Sequence, residues 1–379
     1  MIRGNRMKTK KKADMTEKEK VYEELRQAYG VQRSPAMMEL LEFFFPTLAE
    51  ADIGRHLENL YIGGKPKTIE ELADETGKDI KSVREIIEKL SSKIIIKWRE
   101  RGEEPGVVEY YNTGSLGLKN AWGHIGKNDA EGKTFIKLIN KVLDTQGARV
   151  PKTKPRTLVI KKTINAETKI LPYEIASEVI KWKAKNNVPI ALIWCNCRVY
   201  RQKCDRKADN CIVFGQMADF YVPVSKTTPG ARPNRYVSGE EALECLEESF
   251  KQGLVAQVMT NMPSKERDVE SVFQSITGIC LCCSCCCEGL SRYVEFGDVG
   301  RLPEFLPECN QEKCNLCEAC VKICPVKARW HHWPLKPDLS DDFIHLEAKK
   351  CIGCGLCAYV CSTRSLTMVR AQELTLERT

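Results

Sequence analysis

The chain has 379 residues, with 59 Lys and Arg against 51 Asp and Glu, a formal charge of +8 and 42% apolar residues. That length implies two or three domains, and the apolar content is enough for packed cores, which excludes a wholly disordered chain. Charged residues make up 29%, and no apolar run approaches the roughly 20 residues of a spanning helix, which excludes an integral membrane protein.

Residues 1–20 carry Arg3, Arg6, Lys8, Lys10, Lys11 and Lys12 with almost no apolar content. They lack the apolar stretch of a secretory signal and read as a solvated basic tail rather than an arm for an acidic partner. Residues 1–33 are assigned to this tail and a leading helix.

Residues 34–125 form the next expected domain. Ser34 and Pro35 open a helix through Met37, Leu40, Leu41 and Phe44, which Pro46 stops. Thr47 with Glu50 is a capping-box pair starting a helix through Leu60, and Thr68 with Glu71 repeats it for a short helix ended by Gly77. A further helix from Asp79 aligns Val83, Ile86, Ile87 and Leu90. Ile94–Trp98 and Val107–Tyr111, around a loop with Gly102 and Pro105, predict a β-hairpin. Helix, turn, helix, hairpin is the layout of a winged helix-turn-helix. Its second helix exposes Lys81, Ser82, Arg84, Glu85, Glu88 and Lys89, whose charges nearly cancel, so docking or a structural role is favoured over DNA binding.

Residues 126–156 read as a linker with one helix around Thr134–Leu143. A domain over 157–300 follows, with strands at Leu158–Ile160, Pro189–Trp194 and Leu254–Val258 and helices from Pro172 to about Lys185 and from Ser238 to about Gln252. Alternating strands and helices predict a small mixed α/β unit presenting cysteines from its strand ends.

The chain has 20 cysteines, none before Cys195. No secretory signal is visible, so the expected compartment is the reducing cytoplasm, where thiolates serve metals or redox chemistry more often than disulfides. Cys245 stands alone on its helix; most of the rest fall in three dense groups.

The most specific pattern lies at 314–361. It reads Cys314-x2-Cys317-x2-Cys320-x3-Cys324-Pro325 and then Cys351-x2-Cys354-x2-Cys357-x3-Cys361, the bacterial ferredoxin run written twice. Three thiolates two residues apart wrap three corners of a cubane, and the far run supplies the fourth. By that rule Cys314, Cys317, Cys320 and Cys361 hold one [4Fe–4S] cluster, and Cys351, Cys354, Cys357 and Cys324 hold the second. Gly353 and Gly355 sit where the backbone must bend close to the inorganic core. Zinc is the rival for any CxxC pair, but the duplicated spacing leaves little room for it.

Two central groups remain. One is Cys195, Cys197, Cys204 and Cys211, interspersed with Arg198 and Arg201. The other is Cys280, Cys282, Cys283, Cys285, Cys286 and Cys287. No zinc-finger spacing is present. The preferred reading is a third iron–sulfur cluster with thiolates from both groups, among Cys195, Cys197, Cys204, Cys211, Cys280, Cys282, Cys283 and Cys285. Zinc and a disulfide or redox switch are the alternatives. Adjacent pairs such as Cys282-Cys283 do not easily aim both sulfurs at one cubane, so some of these thiols must be spare, resolving, or ligands of something larger.

Residues 309–369 resemble the dicluster bacterial-type ferredoxin domain, which implies one-electron transfer between two neighbouring cubanes. They depart from it at Ser362, where that family usually has proline, and in the longer segment Val326–Lys350, whose Trp330, His331, His332 and Trp333 pack, shield a cluster or dock a partner. The whole architecture also resembles a group of ferredoxin-type iron–sulfur proteins of anaerobic bacteria and archaea, through Cys195-Asn196-Cys197-Arg198, Ile279–Cys287 and Cys314–Cys361. That resemblance implies electron transfer in general terms.

The expected class is therefore α+β: an N-terminal winged helix-turn-helix, a central Cys-rich α/β domain and a C-terminal dicluster ferredoxin domain over 301–379. No nucleotide-binding fingerprint, P-loop, nucleophile–base set or radical S-adenosylmethionine spacing is visible. The expected function is an electron-transfer protein or subunit working with a redox partner protein. The alternatives are a redox-sensing DNA-binding regulator and a zinc-and-iron scaffold within a larger enzyme.

Overall fold

The computed structural model describes residues 15–59, 63–101, 104, 106–112, 114, 122–145, 157–164, 171, 174–260, 268–296, 303–332 and 342–371. The chain divides into two compact units, one of residues 1–123, 127–147 and 228–230, the other of 124–126, 148–227 and 231–379. The basic cluster Arg3–Lys12, Pro172, Trp333 and the hairpin-loop residues Gly102 and Pro105 lie outside the described residues. Among the described residues no helix is long and apolar enough to cross a membrane.

The first unit is mainly helical. Helix α1 (Glu17–Ala28) opens on a Thr16–Glu19 capping box, so the last residues expected as tail form its first turn. Ser34 caps α2 (Pro35–Phe44) with proline in the first turn. The Thr47–Glu50 box opens α3 (Leu48–His56), which stops at His56, before the expected Leu60, because Leu57 turns extended. Helix α4 (Ile69–Thr76) has the Thr68–Glu71 box and ends at Gly77 in the left-handed region. Asp79 caps α5 (Ile80–Ser92), which buries Val83, Ile87 and Leu90. An antiparallel hairpin of β1 (Ile96–Glu100) and β2 (Val108–Asn112) follows, with Trp98 opposite Tyr110. Buried Glu109 is gripped by Arg99 at 3.2 Å and Arg101 at 2.6 Å.

Lys81, Arg84, Glu85, Glu88 and Lys89 of α5 are exposed, while Ser82 is half-buried. Lys89 is engaged by Glu50 at 2.5 Å. Helix α6 (Ala130–Thr145) is longer than expected. Its Phe135 packs on Phe44 and Trp122, with ring centroids 5.4 and 5.5 Å apart. Much of the segment read as a linker is thus part of this unit's core.

In the second unit, α7 (Ala176–Lys185) starts four residues later than Pro172. Leu158–Ile160 makes isolated bridges and not a strand. The reason is its split bonding: Leu158 N–H donates to Ala256 and Val159 N–H to Glu174, so no single ladder forms. Strand β3 (Ile190–Ile193) leads through the short helix α8 (Asn196–Arg201) to β4 (Cys211–Phe214). Helix α9 (Gln216–Thr227), β5 (Arg235–Tyr236), α10 (Gly239–Lys251), β6 (Val255–Thr260), α11 (Val269–Ser275), β7 (Ile276–Cys282) and α12 (Glu288–Phe296) complete the central part.

The sheet order is β5-β3-β4-β7-β6, and every pairing is antiparallel. Its helices do not serve as parallel crossovers, so the central part is α+β rather than α/β. The consequence is positional. In an antiparallel array β3 and β7 end at the rim where β4 and β6 begin, and that rim collects Cys195, Cys211, Cys280 and Cys282.

The C-terminal part pairs β8 (Phe305–Cys309) with β11 (Leu366–Arg370), and β9 (Arg329–His332) with β10 (Phe343–Leu346). The short helices α13 (Ala319–Ile323) and α14 (Leu356–Tyr359) each lie within one cysteine run and carry its third cysteine, Cys320 and Cys357. Its Leu306, Val326, Ile352 and Leu356 join the same buried core as Ile190, Ile212 and Leu254. Thr157 Oγ1 donates to the Ile352 carbonyl at 2.6 Å, and Tyr359 OH donates to Glu247 at 2.8 Å. Apolar packing is continuous across residue 300.

Candidate metal centres

Two cavities lie among the C-terminal cysteines. One is lined by Cys324, Cys351, Cys354 and Cys357 with Val326, Ile352 and Met368. The other is lined by Cys314, Cys317, Cys320 and Cys361 with Ile344 and Leu366. Each holds three cysteines of one run and the last cysteine of the other. Counting the space that opens to solvent, the hollows measure about 330 and 350 Å³. Soft thiol donors around an apolar hollow form the donor set for an iron–sulfur cluster and a poor one for a hard cation.

Burial raises four of these thiols: Cys351 to about 12, Cys320 to about 11, Cys354 well above its ordinary value, and Cys357. Such groups ionise only when a cation compensates the charge, so metal binding expels protons. Cys361 runs the other way. Burial opposes ionisation there, but hydrogen bonds from Ser365 and Thr363 bring it down to about 7. Backbone amides also reach the sulfurs, Ala328 N–H to Cys324 at 3.2 Å and Gly353 N–H to Cys351 at 3.4 Å.

The two runs share an unusual backbone. Gly353 and Gly355 have φ of 70° and 77°, and their counterparts in the first run, Leu316 and Glu318, have φ of 56° and 58°. Three residues after each last cysteine, Lys327 and Arg364 both have φ of 52°. Glycine adopts this left-handed conformation freely, whereas the four side-chain-bearing residues adopt it at a cost. The bend Gly353 and Gly355 were expected to make is present in both runs, with and without glycine.

Two further residues face these cavities. Cys309, at the end of β8, lines the second cavity beside Cys314. Arg329 lines both cavities. It is 4% exposed, and its Nε has no hydrogen-bond partner among the described residues. Neither was singled out from sequence; Cys309 falls outside the repeated spacing, and a lone arginine carries no motif. His331 is hydrogen-bonded between Glu318 and Asp342, while Trp330 is partly exposed beside it.

The central cysteines, expected to contribute to one site, form two groups. Cys204, Cys283 and Cys285 join Cys286, with all four sulfurs within 4.8 Å of one another. Cys195, Cys211 and Cys280 are neighbours, and Cys280, Cys282, Cys287 and Cys197 continue the series. Strand alternation separates them. Cys280 and Cys282 share one face of β7, and the turn after it, closed by Cys287 N–H to the Cys283 carbonyl at 3.2 Å, carries Cys283 to the other group. The difficulty of aiming Cys282 and Cys283 at one centre is met by their pointing to different ones.

Arg198 is buried beside the second group, donating to the Leu281 carbonyl at 2.9 Å and to Asn210, with Cys195 and Cys211 close enough to raise its pKa. The Cys195 thiol is raised by its hydrogen bond with Cys211 and by burial. Cys245, pushed up to about 11 by burial, belongs to neither group and faces the Asn210 carbonyl.

Comparison with known proteins agrees with this chemistry. Residues 310–330 match the model of the 4Fe–4S binding domain family. A 66-residue stretch is 33% identical to the archaeal-type glutamate synthase [NADPH] of Thermotoga maritima, covering 17% of this chain and 12% of that protein. The archaeal glutamate synthase [NADPH] of Archaeoglobus fulgidus is 33% identical over 67 residues, 18% of this chain and 12% of its own length. The chain thus spans about an eighth of these relatives. No solved structure matches. The chain carries a ferredoxin-like iron–sulfur segment.

Proposed function

We propose that the chain is an electron-transfer protein, or the electron-transfer subunit of an oxidoreductase, with two [4Fe–4S] clusters. Cys314, Cys317, Cys320 and Cys361 hold the first; Cys351, Cys354, Cys357 and Cys324 hold the second. The observation that carries this reading is that three cysteines of each run share a cavity with the last cysteine of the other, Cys309 adding a fifth thiol to the second. When bound, such clusters supply reversible one-electron chemistry. The chain's own residues exclude water with Val326, Ile352 and Met368, hydrogen-bond sulfur with backbone amides, and offset negative charge with Arg329.

The partner is a redox protein. A segment's likeness to enzymes whose names carry NADPH supports an oxidoreductase in that role. The central thiols add further metal, as a third iron–sulfur cluster or zinc. The protein works in the cytoplasm of an anaerobe, and α4, α5 and the β1–β2 hairpin form a winged helix that docks a partner.

A redox-sensing DNA-binding regulator is the second reading, favoured by exposed Lys81 and Arg84 on α5 and opposed by Glu85, Glu88 and the engagement of Lys89 with Glu50. Salt-dependent duplex binding that changes on oxidation selects it. For the principal reading, anaerobically purified protein should hold at least about eight irons, reducible by a low-potential donor. A content of about four or fewer, with one cluster signal, overturns it.

A further inference from the structure

We propose that Cys204, Cys283, Cys285 and Cys286 form a closed tetrathiolate site for a single soft divalent ion, Zn²⁺ or Fe²⁺, and not a cubane. The site shares no cysteine with the two C-terminal cavities and stands or falls apart from them.

The argument is one of scale. Cys204 Sγ lies 3.8 Å from Cys283 Sγ and 3.7 Å from Cys286 Sγ, and Cys285 Sγ lies 3.9 Å from Cys286 Sγ. A tetrahedral ion with metal–sulfur bonds of about 2.3 Å sets its sulfurs about 3.8 Å apart. A cubane holds its thiolates outside four iron corners, necessarily much farther apart. The same chain supplies the contrast. Among the described residues, this is the one set of three or more candidate ligand atoms all lying within 4.8 Å. The eight C-terminal cysteines stand around open hollows.

The backbone makes the small site possible. Gln202, with φ of 48°, ends α8 and turns the chain so that Cys204 follows two residues later. Lys203 N–H donates to Cys286 Sγ at 3.3 Å. Arg206 approaches Cys285 Sγ at 3.9 Å, placing positive charge beside a centre whose four thiolates exceed the charge of one divalent ion. Cys283 and Cys286 are buried, and Cys204 and Cys285 half-buried. Four protein sulfurs with no open position are the arrangement of a structural site. It ties the α8–β4 loop to the turn after β7.

The test uses full-length protein purified without air. X-ray absorption at the zinc edge should give one shell of four sulfurs at about 2.3 Å with no metal–metal scattering, at about one zinc per chain. If the ion is iron, oxidation should produce a high-spin ferric signal of a mononuclear site instead. In the double variant Cys204→Ser/Cys286→Ser, that ion should fall at least about tenfold while the cubane signals persist. Cys361→Ser should instead degrade one cubane signal and leave that ion in place. Loss of a spin-coupled iron cluster in the double variant overturns the proposal. So does wild-type protein with neither ion, or with these four thiols joined as disulfides. The absorption measurement needs no variant, so a double variant that fails to fold leaves the proposal open to refutation.

Discussion

Arg329 is a charge with two neighbours. It is buried and lines both C-terminal cavities, and among the described residues its Nε has no hydrogen-bond partner. A fixed positive charge stabilises the more negative, reduced form of a nearby centre. Arg329→Leu should therefore make both C-terminal centres harder to reduce, read as two midpoint potentials moving downward together in an EPR-monitored titration; movement of one alone would mean the guanidinium serves a single site.

Lys183 is a second buried charge, 3% exposed, with Nζ 3.4 Å from the Gln274 carbonyl and near the Trp182 and Phe214 rings. Burial lowers its pKa to about 8. Between pH 8 and its ordinary value of 10.5 the unfolded chain keeps a proton that the folded chain has released, so stability rises with pH across that window. Lys183→Met should be the more stable protein at pH 7, and its advantage in anaerobic thermal unfolding should shrink as the pH approaches 10. These two residues were not legible in the sequence, because only the fold reveals that a cation is enclosed.

Among elements, the duplicated cysteine runs show how a spacing becomes a shape. Left-handed residues recur at matching positions, and at Gly353 there is no room for anything larger: a Cβ would meet the Phe305 carbonyl oxygen at 2.7 Å and Pro303 at 3.2 Å. Gly353→Ala should destabilise the fold by about 1–3 kcal/mol, since backbone strain and a backbone clash add. Gly355→Ala, whose nearest obstacle is the Thr163 hydroxyl at 3.1 Å, should cost less. Denaturant midpoints of the two variants check the order.

The capped helices α2 to α5 and the hairpin were readable because each begins or turns on a residue with a specific local role: Ser34, Thr47, Thr68, Asp79, Gly77. Strands β4 and β7 were not. In β7, Cys280 and Cys282 hold alternate positions that aliphatic residues would have marked as one face, and β4 is four residues long and opens on Cys211, so both read as metal-ligand lists instead. The grouping of Cys286 and Cys287 with different partners was hidden too, since it depends on the turn after β7 that carries Cys283 away from Cys282.

At the scale of the molecule, the sequence suggests a boundary near residue 300 because the ferredoxin spacing looks self-contained. The core is not interrupted there. Leu306, Val326, Ile352 and Leu356 pack with central aliphatics, Arg370 pairs with Glu174 at 2.8 Å, and Lys162 Nζ lies 3.9 Å from the centroid of the Tyr359 ring. Residues 301–379 expressed alone should expose this apolar face and aggregate, or hold far less iron than the intact chain. A soluble fragment carrying two stable clusters would show that the shared core is dispensable.

The sulfurs of Cys204 and Cys283 meet across 79 positions of sequence, and the first C-terminal cavity waits for Cys324 to be joined by Cys351. A ribosome therefore releases one or three thiols of each set well before the rest. On the proposed assignments, metal is loaded only once the last cysteine of each set has been made, late in the life of the nascent polypeptide.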